Sequence, residues 1–523
     1  MKHANLNRRT FLSQATVGAA SLRATAAGGS GRPNILHIMS DQQQWATIAG
    51  RSLCRTPHLN RLAEEGLLFE RSYTPCAVCC PARAMILSGS YHWHNGVFNQ
   101  VHSPPSVHRD MFPDAVLYSQ RLRDAGYHLG YVGKWHASWT RSPLDFGFHE
   151  IAGVYGCDPK ILADVDLNPD HVEQPKEKLK MTPHRKMQWP GSEPFVMWGQ
   201  AEGPIEAWRE YRTAESGIRM LNRFTKGTQP WHLEVHFVAP HDPYLPHADY
   251  LKRYDARAIP VPHSFEDTFE GKPGMHKRES QTWGKATGED YRQGRAHYYA
   301  SVEQLDAQIG RLLDALDKSG QADNTIVVFT TDHGDMAGAH RMWVKGWIPY
   351  EECYRVPLII RWPGKIKAGS RTAHLVQTHD LAHTYIEAAG AHALPHPDGR
   401  SLVPLFANQN RTDWRDEVLG AFYGGEFLYT QRLLINRRFK YVFNGFDIDE
   451  LYDLEQDPEE MHNVAYAAGY SAHADEMRAG LYDLMARFED PYGDRPGGGF
   501  HFDRYGATRY LPRGKRSQLR NAK

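Results

Sequence analysis

Residues 324–335 read NTIVVFTTDHGD, a short apolar run that ends in charged side chains. The run from Ile326 to Phe329 is β-branched and aromatic, as expected of a buried strand. A helix is predicted just before it from apolar residues at helical spacing and a glycine that suits its C-cap, namely Val302, Leu305, Ile309, Leu312, Leu316 and Gly320. Helix followed by strand favours crossover connections and a mainly parallel sheet.

Three earlier segments have the same form: PNILHIMSDQQQ at 33–44, GYHLGYVGKWH at 126–136 and WHLEVHFVAPHDPY at 231–244. In each, a short strand-like run is followed at once by polar or ionisable residues. Ligands of open parallel sheets bind beyond the carboxyl ends of the strands. We therefore predict an α/β fold with a large, mostly parallel central sheet flanked by helices, and a functional site where these four strands end.

The pattern changes after about residue 400. Residues 427–460 predict short antiparallel strands with turns at Asn444-Gly445 and Asp457-Pro458. A following helix is indicated by one apolar face, formed by Met477, Leu481, Leu484 and Phe488. The predicted parts are a main α/β domain over 33–400, a small subdomain of antiparallel sheet plus helix over 401–490, and a loop and tail over 491–523.

The amino-acid composition is typical of a globular protein and does not favour a nucleic-acid-binding or membrane-inserted one. The 523 residues include 61 basic and 61 acidic side chains, so the charge does not indicate a nucleic-acid or membrane-surface partner. A hydrophobic content of 41%, with 11% aromatic residues, is that of a globular protein. The sequence has no run of about eighteen apolar residues, so stable membrane insertion is not expected.

Residues 1–26 have the features of an export signal. Paired Arg8 and Arg9 are followed by Phe11 and Leu12, an alanine-rich stretch and a small-residue cleavage site at residues 24–26. This order is typical of a twin-arginine signal peptide, which we predict over residues 1–26. The twin-arginine machinery is then a partner, and the mature protein is periplasmic or secreted. The alternative is a tail that happens to carry two arginines.

Three of the six cysteines lie in YTPCAVCCPARAMILSG, residues 73–89. Pro81 suits the first position of a helix that Gly89 ends, so the residues before Pro81 lie near free backbone N–H groups, which favour anions. Three interpretations compete for the cysteines: a disulfide from Cys76, a zinc knuckle, or a nucleophilic thiol. Adjacent cysteines pair poorly and the other three are scattered along the chain, which weighs against the first two.

The same stretch resembles a known signature. Cys79-Cys80-Pro81-Ala82-Arg83, followed by Leu87-Ser88-Gly89, is similar to the C-x-P-S/A-R…T/S-G motif of type I sulfatases, which have the alkaline-phosphatase-like fold. Further segments resemble the family in its own order over about residues 33–465: PNILHIMSDQQQ, YVGKWH, APHDPY, TTDHGDMAGAH, WVKGWIPYEECYRVPLIIRWPG and ELYDLEQDPEEMHNVA. The resemblance selects Cys79, two residues before the proline, for oxidation to formylglycine (3-oxoalanine) by a formylglycine-generating enzyme.

The resemblance also implies a site for one divalent cation. Its ligands are expected to be Asp41, Gln42, Asp332 and His333, together with the modified Cys79. The commonest sulfatase pattern has Asp in place of Gln42 and Asn in place of His333, and this variation is familiar from choline-sulfatase-like and phosphonate-hydrolase-like relatives. Calcium is the usual ion of the family, whereas an imidazole ligand favours Mn²⁺, so both ions stay open.

Five further residues have roles implied by the resemblance. Arg83 is expected to hold the hydrated aldehyde or a neighbouring carboxylate, and Lys134 and Lys345 to bind sulfate oxygens. His241 is the candidate acid for the leaving group. His136 is the candidate base that releases sulfate and restores the aldehyde.

The prediction is therefore an exported sulfatase that hydrolyses sulfate monoesters, including those of carbohydrates. Residues from about 155 to 225 are expected to make the substrate-specific contacts, since loops at strand ends carry specificity. One alternative is a hydrolase of phosphonate monoesters or phosphodiesters with the same nucleophile. Another is a binding protein that keeps the fold without maturing Cys79.

Overall fold

The structure is a computed structural model that describes residues 31–492 except 104–105, 164–167, 189–192, 346–347, 426–429 and 446. The predicted signal peptide over 1–26 and nearly all of the predicted tail over 491–523 lie outside the described residues. The described residues from Arg32 onward form one compact unit. Among the described helices, none has the length and apolar character needed to cross a membrane.

The described residues form fourteen strands and thirteen α-helices. The strands are β1 Asn34–Asp41, β2 Leu67–Tyr73, β3 His128–Lys134, β4 Glu150–Tyr155, β5 Lys180–Met187, β6 Phe195–Glu202, β7 Trp231–Pro240, β8 Thr325–Thr331, β9 Leu358–Arg361, β10 Ser370–Gln377, β11 Glu417–Phe422, β12 Gln431–Asn436, β13 Phe439–Phe443 and β14 Glu450–Asp453. The helices are α1 Pro57–Glu65, α2 Cys79–Ser88, α3 His92–Asn95, α4 Tyr118–Asp124, α5 Lys160–Ala163, α6 Arg209–Phe224, α7 Ala248–Leu251, α8 Gly274–Thr282, α9 Gly288–Lys318, α10 Glu351–Tyr354, α11 Asp380–Ala389, α12 Val403–Ala407 and α13 Ser471–Arg487.

The central sheet has eight strands in the order β10-β2-β9-β8-β1-β7-β3-β4. The four strands predicted from their polar ends are β8, β1, β7 and β3, which are neighbours in the middle of the sheet and run parallel. Only β9 among these eight strands runs antiparallel to its neighbours, β2 and β8. The prediction of a large, mostly parallel sheet is confirmed.

Helices cover both faces of this sheet, which is why its middle strands β1, β7 and β8 are buried almost throughout. Side chains alternate between the faces along β1. Ile35 packs in a core with residues of α2, α4 and α11, whereas Leu36 packs in a second core with residues of α1, α6 and α9. The predicted helix before β8 is the C-terminal half of α9, which is longer than the sequence pattern indicated.

The C-terminal part contains the predicted antiparallel sheet and helix. Strands β11 to β14 pair in chain order, and α13 packs against them in a core that also holds Cys76 and Val78 from the segment before α2. The predicted turn at Asn444-Gly445 follows β13, and Gly445 has a φ of 69°. The boundaries at residues 400 and 490 stay predictions, because both sheets belong to one compact unit.

The region from about 155 to 225 has a structure of its own. Strands β5 and β6 form a separate two-stranded antiparallel sheet, and α6 follows them. Isolated bridges join Trp198 to Tyr244 and Ala201 to His247. These bridges hold β6 beside the segment that follows β7, so the region lies next to the carboxyl end of a central strand.

Gly334 lies just beyond β8, where the chain passes very close to the backbone of α10. Its N–H donates to the Cys353 carbonyl oxygen at 2.8 Å, and an added Cβ would lie 1.9 Å from the Glu352 carbonyl oxygen. We expect Gly334→Ala to lower the free energy of unfolding by about 1–3 kcal/mol, because the two backbones must move apart. Urea unfolding measures the loss. Gly469→Ala is the matched control, since nothing lies within 4 Å of its added Cβ, and equal stability of the two variants contradicts the argument.

Candidate active site

Three separate segments bring ligand atoms together at the carboxyl edge of the central sheet. β1 ends at Asp41, β8 is followed by Asp332 and His333, and α2 begins at Cys79. One oxygen, nitrogen or sulfur atom of each lies within 4.8 Å of the others, and all four side chains are buried. The polar residues predicted to meet beyond the strand ends do lie together.

Positive side chains neutralise the outer oxygens of the two aspartates. Arg83, only 1% exposed, donates from Nη2 to Asp41 Oδ2 at 3.0 Å and from Nε to Asp332 Oδ2 at 2.8 Å. Lys134 Nζ donates to Asp41 Oδ2 at 2.5 Å. Burial alone would raise the pKa of the Asp41 carboxyl, but the charges of Lys134 and Arg83 hold that pKa well below its usual value. Both carboxylates are therefore paired on their outer sides.

The inner side of the cluster suits a cation. His333 Nδ1 lies 2.8 Å from the Gly334 carbonyl oxygen, to which it donates, so the lone pair on Nε2 points away from that bond. Nε2 lies 3.8 Å from Asp41 Oδ1 and 3.9 Å from Asp332 Oδ1. Although burial opposes it, the charge of Asp332 raises the pKa of His333 to about 9, so this position favours positive charge and a bound metal ion would replace the proton on Nε2. Two carboxylate oxygens and an imidazole nitrogen around one point fit a divalent metal ion.

Gln42 takes an unusual conformation at the end of β1, with a φ of 66°. Its side-chain Nε2 donates to Asp335 Oδ2 at 2.8 Å and to Asp242 Oδ1 at 3.1 Å. Its Oε1 accepts a bond from Lys345 Nζ at 3.4 Å. The amide is thus held by three ionisable groups, and its predicted role as a metal ligand stays a prediction.

Helix α2 presents Cys79 to this cluster. The helix begins at Cys79, two residues earlier than the position that Pro81 suggested, and it ends at Gly89 in the left-handed conformation. The first helical hydrogen bond runs from Ala82 N to the Val78 carbonyl oxygen at 3.0 Å. The N–H groups of the first turn have no helical partner, so a proline in third place costs no bond. Cys79 is therefore the first residue of the helix, close to its free N–H groups.

The three neighbouring cysteines differ in their electrostatic surroundings. Burial alone would raise the pKa of the Cys79 thiol, but the charges of Lys134 and Lys345 lower that pKa well below its usual value. Burial raises the pKa of Cys76 and of Cys80 instead. Both are packed in apolar cores. All six cysteines of the chain are described and none forms a disulfide.

Lys345 and His241 converge at the mouth of the cluster. Lys345 Nζ lies 3.1 Å from His241 Nε2, and His241 Nδ1 donates to the Asp242 carbonyl oxygen at 2.9 Å. Burial lowers the pKa of His241, but the adjacent Asp242 carboxylate outweighs it and the net shift is upward. A raised pKa suits the predicted role of a proton donor.

His136 follows β3 by two residues and has a φ of 56°. Burial and the nearby charge of Lys134 lower the pKa of His136 to about 3, so its imidazole is neutral at neutral pH. Its Nε2 lies 2.8 Å from His102 Nδ1, and the two rings are stacked with centroids 4.7 Å apart. The role of His136 as a base stays a prediction.

Comparison with known proteins identifies the family. The family model named Sulfatase matches residues 33–391, which is more than half of the chain. The chain is a member of the sulfatase family. A second model, described as N-sulphoglucosamine sulphohydrolase, C-terminal, matches residues 338–487. The predicted membership of the type I sulfatases, within the alkaline-phosphatase-like superfamily, is confirmed, and the chain is accordingly a sulfuric ester hydrolase.

Individual relatives cover most of this sulfatase. A choline-sulfatase from Rhizobium meliloti is 30% identical over 87% of the chain and 88% of the relative. An N-acetylglucosamine-6-O-sulfatase from Bacteroides thetaiotaomicron is 27% identical over 88% of the chain and 87% of the relative. The solved phosphonate monoester hydrolase of Silicibacter pomeroyi is similar in fold, with a TM-score of 0.70, 24% identity, and coverage of 87% of the chain and 96% of the hydrolase.

Three residues of the sulfatase site were missed at the level of sequence. Asp242 and Asp335 hold the Gln42 amide, and His102 contacts His136. Asp242 and Asp335 lie within the motifs APHDPY and TTDHGD, so their position in these motifs could have identified them as site residues. His102 lies outside every motif, so no sequence pattern pointed to it.

Proposed function

We propose that this sulfatase hydrolyses sulfate monoesters of carbohydrates with a nucleophile made from Cys79. The observation that carries the proposal is the position of the Cys79 sulfur, which lies 3.1 Å from His333 Nε2 inside the buried ligand cluster. The similarity to the N-acetylglucosamine-6-O-sulfatase supports the carbohydrate class of substrate. In the proposed mature enzyme a formylglycine-generating enzyme has oxidised Cys79 to the aldehyde.

The proposed reaction assigns separate tasks to the side chains around Cys79. The hydrated aldehyde supplies the nucleophile, and a divalent cation held by Asp41, Asp332 and His333, with Gln42 as a further proposed ligand, polarises the sulfate oxygens when bound. Lys134 and Lys345 bind the sulfate and stabilise the negative charge that grows in the transition state.

Two histidines move protons in the proposed reaction. His241 gives a proton to the leaving alcohol oxygen, and His136 accepts one when sulfate is released and the aldehyde is restored. Arg83 holds Asp41 and Asp332 in position through the bonds described above.

Turnover of two matched esters tests the class of substrate. We expect 4-nitrophenyl sulfate to be hydrolysed with a higher kcat/KM than phenyl phosphonate esters, because the relatives that cover most of the chain include a choline-sulfatase and an N-acetylglucosamine-6-O-sulfatase. The alternative of a phosphonate or phosphodiester hydrolase is supported by the similarity to the Silicibacter enzyme and by Gln42 and His333. A large preference for phosphonate esters would establish that alternative.

His333 is expected to decide the choice of metal ion. Replacing it by asparagine, the usual residue of the family at this place, removes a nitrogen ligand and leaves an oxygen ligand, which suits Ca²⁺ better than Mn²⁺. We expect His333→Asn to weaken Mn²⁺ binding by about tenfold or more while Ca²⁺ binding changes little. Metal titration followed by elemental analysis measures both affinities. An unchanged Mn²⁺ affinity places His333 outside the metal shell.

We further propose export through the twin-arginine pathway to the periplasm or beyond. The paired arginines and the small-residue cleavage site within residues 1–26 support this address. Replacement of Arg8 and Arg9 by lysine, followed by cell fractionation, tests it, because the export machinery reads the arginine pair. If the variant reaches the periplasm or the medium in the same amount as the unchanged protein, the proposal is wrong.

A further inference from the structure

A cavity of about 520 Å³ lies beside the catalytic cluster. Its walls come from the end of β7 and the segment after it, the segment before β5, the start of α6 and the middle of α9. About half of the lining residues lie between residues 155 and 225, the region expected to make the substrate-specific contacts.

The position of the cavity relates it to the leaving group of the proposed reaction. His241 and Asp242 line it, and His241 is the proposed proton donor to the leaving group. His241 Nε2 lies 3.1 Å from Nζ of Lys345, a proposed sulfate-binding group. With the sulfate at Lys345 and the leaving oxygen at His241, the leaving alcohol is placed next to the cavity that His241 lines.

Three cationic side chains line this cavity: Lys178, Arg209 and Arg212. Within the described part of the chain, no carboxylate lies within ion-pair distance of any of them. The Arg209 guanidinium lies 4.8 Å from the centre of the Tyr155 ring, which orients it. Guanidinium groups that line a cavity without a carboxylate partner favour a ligand that is negatively charged and accepts hydrogen bonds.

Acidic side chains do not cancel this charge. Glu210 and Asp242 also line the cavity, giving two carboxylates against three fixed cations. Asp242 already accepts a bond from Gln42 Nε2 at 3.1 Å and lies 3.2 Å from His241 Nδ1. The cavity therefore keeps an excess of positive charge at a distance from the sulfate-binding lysines.

We propose that this cavity binds a second anionic group, a sulfate or a carboxylate, carried by the sugar whose sulfate ester is cleaved. Arginine binds such groups through paired hydrogen bonds, and two arginines one helical turn apart on α6 present several donors to one anion. The substrate class is then a polyanionic saccharide. This inference rests on the proposed function, since it locates the leaving group by the role of His241.

Binding to an inactive form tests the inference without turnover. In the Cys79→Ala background, calorimetry compares D-glucosamine 2-N,6-O-disulfate with N-acetylglucosamine 6-sulfate, which lacks the second anion. Either sulfate of the first sugar can occupy the lysine site, and the other then faces the cavity. We expect the disulfate to bind more tightly, and the double change Arg209→Met and Arg212→Met to weaken it by about tenfold while the monosulfate loses much less.

Two further variants keep the result interpretable. Arg219→Met, on the same helix but paired with Glu215 at 3.4 Å outside the cavity, is the matched control and is expected to bind both sugars normally. Lys178→Met, on a different segment, is expected to lower the affinity for the disulfate even where the double variant is poorly folded. Equal losses for both sugars, or none, overturn the inference. Failure of the intact enzyme to cleave 4-nitrophenyl sulfate contradicts the proposed function instead, because the binding measurement needs no catalysis.

Discussion

Cys79→Ala is expected to abolish hydrolysis of sulfate esters, with a loss in kcat of at least about 10⁴-fold. Removal of a covalent nucleophile is among the largest single-residue effects in enzymes of this kind. The substitution leaves the fold intact, because the side chain is small and lies at the first position of α2. Turnover of 4-nitrophenyl sulfate, measured beside the thermal unfolding temperature, separates loss of chemistry from loss of structure.

The neighbouring cysteine provides the control. Cys80 is equally buried, and Cys80→Ala is expected to keep activity within about tenfold, since it removes one sulfur from an apolar core. Mass spectrometry of the tryptic peptide over residues 72–83, from protein made in its own host, identifies the modified residue. An aldehyde at Cys79 is the expected result. An unmodified thiol there, in active enzyme, refutes the proposed nucleophile.

Arg83→Met is expected to lower the free energy of unfolding by about 3–5 kcal/mol, because it leaves buried carboxylates without their partner. The guanidinium pairs with Asp41 and with Asp332, and both carboxylates are fully buried. Arg83→Lys should recover only part of the loss, since an ammonium group cannot reach both carboxylates in the planar geometry of arginine. Urea unfolding of the metal-free proteins gives the three values.

An exposed arginine serves as the comparison for Arg83. Arg61 pairs with Asp314 at 3.0 Å, but the two side chains are 35% and 49% exposed. Arg61→Met is expected to cost less than about 1 kcal/mol, because solvent screens such pairs. If Arg83→Met and Arg61→Met lower the free energy of unfolding by similar amounts, Arg83 does not stabilise the buried charge cluster as expected.

The central strands could be predicted because each carries its signal locally. A short run of β-branched residues followed by Asp41, by Lys134 or by Asp332 indicates both the strand and the edge at which it ends. The sheet then places these residues together without further information, since parallel strands share a carboxyl edge.

Other features could not be read from the chain, because they depend on contacts between distant segments. The antiparallel direction of β9 follows from its place between β2 and β8, not from its own residues. His102 and His136 are 34 residues apart, and Gln42 and Asp335 are 293 apart. Their hydrogen bonds depend on register and loop course, which local patterns do not encode. The start of α2 differed by two residues for a smaller reason, since proline is tolerated throughout the first turn.

The burial of Cys79 limits the time in which its proposed oxidation can take place. The side chain is 1% exposed in the folded chain, so under this proposal the oxidising enzyme acts before the cluster forms around it. Closure needs His333, which is synthesised 254 residues later. At about 5–20 residues per second, those 254 residues take about 13–50 s to make. The order of segments along the chain therefore sets a minimum time during synthesis in which Cys79 stays accessible, because the cluster cannot form before β8 and His333 have been made.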